Sequence, residues 1–171
     1  MATRKKPLPS CRILSVRQPW AWAICAGIKG IENRTWSSRF EGVLFIHAGQ
    51  KVETKGIVFL EDELGLKLPK SFETGAVVGA AALVACIDVA EMTLREVKET
   101  ESWLESVWQA PFAEGPVLWV LPEGARLKEP VPMKGKVGLW TPEPALAERL
   151  FSLLPTKSPL RSWNPESLRL P

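Results

Sequence analysis

The sequence predicts an α+β fold, a small mixed β-barrel with flanking helices. Three observations lead there. Five or six short apolar strands are interspersed with helical stretches. Glycines interrupt the longest strand, Gly75–Asp88, as they do where a sheet bends at a barrel corner. No G-x-G-x-x-G or G-x-x-x-x-G-K stretch joins a strand to a helix, which sets aside the phosphate-cradling nucleotide folds. The 171 residues suit one domain with short extensions. A chain of this size buries roughly 70% of its unfolded surface and needs no disulfide to fold.

Residues 1–10 read as a flexible basic arm containing Arg4, Lys5 and Lys6. Cys11–Val16 is a strand, and Ser15–Gln18 leads out of it. Pro19, pre-set for the first helical position, opens a helix to Ala26. Gly27 suits the left-handed position past its end, with Ile28 as the following apolar contact. Gly30–Trp36 alternates as a strand, with Glu32, Arg34 and Trp36 on one face and Ile31, Asn33 and Thr35 on the other. Gly42–His47 is a continuous apolar strand, buried on both faces or lining a barrel. Residues 52–66 have helical spacing and stop at Gly65. In Gly75–Asp88, small residues and Gly79 predict a bend or a close backbone approach. Thr93 and Glu96 form a capping box for a helix to Leu104. Val117–Leu121, the edge Glu129–Pro132 and Lys136–Trp140 complete the strands. Pro144–Leu154 is an amphipathic helix, and the Pro- and Ser-rich segment around Trp163 ends the chain. The expected organisation is therefore an arm at 1–10, a domain at 11–142, and a helix with a tail at 143–171.

Composition narrows the chemistry. There are eight Trp, six Phe, no Tyr, one His and three Cys. Tyr acid catalysis and a two-histidine metal site within one chain are excluded, and a four-ligand zinc ribbon has too few ligands on regular spacing. Neither a metal nor a cofactor is expected. Cys11, Cys25 and Cys86 are odd in number and widely spaced, which reads as buried thiols in a reducing compartment. The longest uncharged apolar run, Gly75–Ile87, has thirteen residues, short of the ~20 of a membrane helix. Arg12, Arg17 and Gln18 interrupt any signal-peptide core. A soluble cytoplasmic protein without a membrane partner is the expectation. The net charge is only +3, yet residues 1–40 hold eight Lys or Arg and one acid. That asymmetry predicts an anionic partner, phosphate or nucleic acid, against the alternative of a solvated face with a basic tail.

The densest cluster of chemically useful residues joins Ser15–Trp20 to Gly27–Trp36. A strand face with Glu32, Arg34 and Trp36 offers an acceptor, a cationic fork and a flat π surface. Such a set suits a nucleobase: the carboxylate accepts from an exocyclic amine, the indole stacks, and Arg holds phosphate or a carbonyl. The alternative is a surface ion pair, Glu32–Arg34 or Lys29–Glu32, beside a core Trp. Trp20 and Trp22 are two apart on a helix and cannot share a face, so one is core and the other cleft or surface; its place in Arg17–Trp20 assigns Trp20 to the cleft. Trp119 and Trp140 are read as core. Trp103 and Trp108 are read as packing residues, with a lid or interface as the other option. Cys25 with His47 would make a nucleophile–base pair, but an Ala-rich helix makes Cys25 a buried thiol.

The stretch Leu14–Trp36 followed by Leu44–Ala48 closely resembles the ASCH domain family. The signature G-x-K-x-x-E-x-R falls on Gly27, Lys29, Glu32 and Arg34. Gly75–Gly79 leading to Cys86–Asp88, and Trp119–Leu121 through Pro130–Pro132 to Gly138–Trp140, continue the resemblance over residues 11–141. The resemblance implies a PUA-like β-barrel whose signature residues line a cleft beside the first helix, and binding of RNA or a nucleotide derivative. Ligand contacts are then expected from Arg17, Gln18, Trp20, Lys29, Glu32, Arg34, Trp36, Arg39 and His47. Relatives that deacylate N4-acylated cytidines use a Lys, a Thr and a Glu. The Lys matches Lys29, the Thr falls at Glu32, and Asp88 and Glu91 are candidates for the third. On that reading Lys29 and Glu32 would be catalytic, with N4-acetylcytidine as substrate. A carboxylate three residues from Lys29 favours a charged Lys, a donor rather than a base. Other relatives are coactivator domains, so a protein adaptor using the C-terminal helix and Trp163 tail is a further alternative.

Overall fold

A computed structural model describes residues 7–91 and 111–164. The Arg4–Lys6 cluster, the Thr93–Leu104 helix with Trp103, Trp108, and the end of the tail from residue 165 lie outside the described residues. The fold is mixed α and β, with two sheets and few helices. Strands β1 (Cys11–Gln18), β3 (Gly42–Val52), β4 (Ala76–Leu83), β7 (Gly124–Pro132) and β8 (Leu139–Trp140) form a five-stranded sheet in the order β7-β4-β3-β1-β8. Strands β2 (Ile31–Arg34), β5 (Ala85–Asp88) and β6 (Val117–Val120) form a three-stranded sheet in the order β2-β6-β5. Among the described residues the α-helices are α1 (Trp20–Cys25), α2 (Thr54–Val58) and α3 (Pro144–Leu153). A π-helical turn, Phe59–Glu63, continues α2, and a 3-10 turn, Pro159–Ser162, follows α3. No helix among the described residues is long and apolar enough to cross a membrane.

The pairing of β1 with β3 is parallel, while β4 joins β3 and β7 antiparallel. A parallel pair cannot be closed by a tight hairpin and needs a crossover. Here α1 and β2 lie in that crossover, and with them every charge of the G-x-K-x-x-E-x-R signature. Helix α1 ends in a Schellman motif: Ile28 N–H donates to Ala23 O (2.9 Å) and Gly27 N–H to Ile24 O (3.0 Å). Gly27 has φ +72°, which a side chain would strain. This stop turns the chain at once into Lys29 and β2.

Strand alternation divides the core. Leu14, Val16, Leu44, Ile46, Leu83 and Trp119 fill the space between the sheets. Ile13, Val43 and Phe45 point the other way, against Leu150, Phe151, Leu154, Leu160 and Trp163. The apolar run of β3 thus has both faces covered, as its continuity predicted. A third cluster, with Ala23, Ile31, Leu60, Phe112 and Leu118, lies under α1 and the π-helical turn.

The Gly75–Asp88 segment is not one strand. It breaks at Val84, whose N–H donates to Val120 O (3.1 Å), and passes from the larger sheet to the smaller. Gly79 is a point of close approach, where an added Cβ would meet Cys25 Sγ and Ala125 O and where the β4–β7 register shifts. Strand β3 runs past His47 to Val52 because Gln18 pairs with Val52 at the end of β1. Helix α2 accordingly starts only at Thr54.

Candidate functional site

A cleft of about 600 Å³ opens between β1, α1, β2, α2 and the segment before β6. Its charged lining among the described residues is Arg17, Lys29, Arg34 and Lys55 against Glu32, Glu53 and Glu114. One positive charge is in excess.

At its base lies a charge triad. Lys29 Nζ donates to Glu32 Oε2 (2.9 Å) and to the backbone oxygen of Ile31. Glu32 Oε1 ion-pairs with Arg34 Nη2 at 3.1 Å. The side chains of Lys29, Glu32 and Arg34 are 4%, 10% and 22% exposed. This is no surface pair. Removing such charges from water costs several kcal/mol per ion, and pairing plus hydrogen bonds must offset it. Arg34 Nη2 also donates to Ser15 O (3.0 Å), which anchors β2 to β1. Both contacts use Nη2. Arg34 Nε, though buried, has no partner among the described residues.

An aromatic group forms one wall. Trp20 lies 6.1 Å from Phe59 and 6.4 Å from Phe112, ring centre to ring centre. Lys29 Nζ stands 5.8 Å from the Trp20 ring and 5.7 Å from that of Phe112. Those distances place the ammonium within cation–π range of both rings. Gly56 allows this packing: a Cβ there would sit 2.8 Å from Trp20 Cζ2 and 2.9 Å from Pro19 Cδ.

Two residues that the sequence did not single out hold the cleft in shape. Glu53 accepts from Trp20 Nε1 (2.9 Å) and from Arg17 Nη1 (2.8 Å). The Arg17 contact first, and then the Trp20 contact, lowers the Glu53 carboxyl below its ordinary value. Asn33 spends its whole amide on the far wall. Its Nδ2 donates to Phe112 O (2.7 Å), and its Oδ1 accepts from Glu114 N (3.1 Å) and Gly115 N (3.0 Å). All five partners are distant in sequence, so neither spacing nor periodicity signals these roles.

Of the residues expected at the site, Arg17, Trp20, Lys29, Glu32 and Arg34 line this cleft together. The others lie elsewhere. Gln18 is buried, donating from Nε2 to Glu73 O (2.7 Å) and accepting from Trp22 N (2.9 Å). Trp36 is exposed beyond β2, edge-on to Trp119 with ring centres 4.7 Å apart. Arg39 is exposed on the following loop. His47 shares a strand face with Phe45 and is buried between Ser15 Oγ (Nδ1, 3.1 Å) and Met133 O (Nε2, 2.9 Å). Cys25 is buried against Gly79, and burial pushes its thiol up to about 12, Arg126 opposing weakly. Asp88 and Glu91 are outside the cleft lining; among the described residues the carboxylates there are Glu32, Glu53 and Glu114. Trp119 is fully buried, and Trp140 is half-buried.

The protein is thus a two-sheet α and β fold with a charged cleft beside the helix that follows its first strand. The ASCH domain model matches residues 14–129, and the chain belongs to the ASCH domain family. It is 25% identical over 134 residues to human activating signal cointegrator 1, covering 74% of this chain and 21% of that protein. The chain thus spans about a fifth of that relative's length. Among solved structures it is similar to ASCH from Zymomonas mobilis: 16% identity, TM-score 0.50, covering 85% of this chain and 96% of that one. A point mutant of the same Zymomonas mobilis protein matches at 18% identity and TM-score 0.50, covering 85% and 99%. These two likenesses concern the fold.

Proposed function

We propose that the cleft binds RNA or a modified nucleoside, and that the two sheets form an open, barrel-like PUA frame around the interior. The observation that carries the binding reading is the Lys29–Glu32–Arg34 triad buried beside the Trp20–Phe59–Phe112 wall. Pairing fixes the triad's geometry, and its positive excess suits an anion. Arg34 keeps uncommitted donors, Glu32 offers an acceptor for an exocyclic amine, and the wall offers π surface to a base. The passage of the chain between sheets at Val84 supports the barrel-like frame.

Hydrolysis of N4-acylated cytidine is less favoured by the geometry. Lys29 Nζ faces two acceptors, Glu32 and Ile31 O, and is arranged to donate rather than to take a proton. The adaptor reading loses its anchor because Trp163 is buried among Phe151, Leu154 and Leu160.

The test is calorimetric titration with cytidine, N4-acetylcytidine and an oligouridylate. Trp20→Ala should weaken binding by ~1–3 kcal/mol, the usual cost of losing a base-stacking ring. Wild-type affinity in that variant would remove this reading.

A further inference from the structure

His47 and the loop Met133–Gly138 take no part in the cleft, yet they are built against it. Strand β8 pairs with β1 at Leu14↔Leu139, so the loop before β8 flanks the end of β1 that carries Ser15, Val16 and Arg17. Two hydrogen bonds hold the start of this loop. Met133 N–H donates to Gly75 O (3.0 Å), and Met133 O accepts from His47 Nε2 (2.9 Å). A carbonyl only accepts, so His47 Nε2 carries a proton toward Met133 O, and Nδ1 lies 3.1 Å from the Ser15 hydroxyl. The same Ser15 accepts from Arg34 through its backbone oxygen. Gly135 closes the arrangement: a Cβ there would lie 2.6 Å from Ser15 Oγ and 2.6 Å from His47 Cε1.

On this fixed loop Lys134, Lys136 and Val137 are exposed, Val137 fully. The stretch Pro130–Pro142 contains no acid. Among the described residues neither lysine makes an ion pair, whereas Arg17, Lys29 and Arg34 in the cleft do and Lys55 there does not. An exposed unpaired ammonium on an anchored loop is arranged for a phosphate from outside the chain. The apolar tip of Val137 beside it suits a sugar or a base face.

We infer that the Met133–Gly138 loop is a second contact site that carries the phosphodiester backbone of a single-stranded RNA whose nucleotide occupies the cleft. The inference rests on the binding reading above and sharpens it: the ligand is a polynucleotide strand rather than a free nucleoside. His47 acts as a positioning residue that ties loop to cleft through Ser15.

The experiment compares uridine monophosphate with oligouridylates up to about nine nucleotides, a length within the range of a single binding face. Proteins compared are the wild type, Lys134→Ala/Lys136→Ala, a Lys70→Ala/Lys157→Ala control of equal charge change, and Trp20→Ala. Wild-type affinity should rise with length. The Lys134/Lys136 variant should lose roughly tenfold for the longest strand, with a salt slope shallower by about 1–2, and keep its affinity for the mononucleotide. The control should match wild type. A length gain that survives in Lys134→Ala/Lys136→Ala, or an equal loss in the control, overturns the loop site. Trp20→Ala reports separately on the cleft. If it binds the mononucleotide as wild type does while the loop variant loses its length gain, the cleft reading fails, and with it the placement of the strand's nucleotide, while the loop's contact to the RNA backbone stands.

Discussion

Helix α1 sends one indole into each of two clefts. Trp20 lines the large one, and Trp22 lines a smaller one of about 170 Å³ with Gln18, Phe72 and Cys25. In the smaller cleft the buried polar groups are neutral. The Gln18 amide is satisfied at both ends by backbone, and the Cys25 thiol is held protonated by burial. Trp22 packs edge-on to Phe72 at 6.2 Å. Around Trp20 the buried groups are ions, fixed by one another and by strand backbone. Neutral groups that satisfy backbone serve architecture. Charges buried with donors to spare are costly for architecture alone, and they are what a ligand-binding site requires.

The largest effect that separates the two clefts is on stability. Glu32→Ala leaves Lys29 and Arg34 in place without their shared carboxylate, and it should cost ~3–5 kcal/mol in urea unfolding. Glu32→Gln, which keeps an acceptor, should cost less. If Glu32→Ala were neutral, the triad would not hold the cleft together. The next contrast is in binding. Trp20→Ala should lose ~1–3 kcal/mol of RNA affinity while Trp22→Ala, a similar loss of ring packing, leaves affinity within about 0.5 kcal/mol. Equal losses would mean general loosening rather than a site.

Those contrasts mark what the sequence makes legible. The helix entry at Pro19, its stop at Gly27 and the alternation through Ile31–Arg34 are local patterns, and each has its counterpart in the fold, with Pro19 as the N-cap rather than the first helical residue and the helix running Trp20–Cys25. Five of the expected ligand residues share one cleft for the same reason: they lie on elements joined by the short crossover after β1. Tertiary pairing decides the rest. Residues Gly49–Val52 have little strand character, yet they extend β3 because β1 lies beside them. Alternation pairs His47 with Phe45, but a continuous apolar run hides which face meets the cleft, so nothing in Gly42–His47 shows that this pair turns away from it. Glu53 and Asn33 reach partners 33 to 82 residues away. Their roles come into view only when the chain has folded.

The smallest effect concerns Glu53, whose carboxyl is lowered by Arg17 and Trp20. Its stabilising contribution is complete above its unfolded value near 4.5 and is lost as pH falls through the lowered folded value. The gap in urea midpoint between wild type and Glu53→Gln should therefore be present at neutral pH and close on acidification. A gap that widened toward low pH would contradict the assigned contacts.

The central claim is that ligand enters beside Trp20. The most direct measurement is to follow the indole N–H resonances of the eight tryptophans while an oligouridylate is added. The Trp20 resonance, whose N–H is bonded to Glu53, should shift, and those of Trp22 and the buried Trp163 should stay. Movement of Trp22 with Trp20 unmoved would contradict the account.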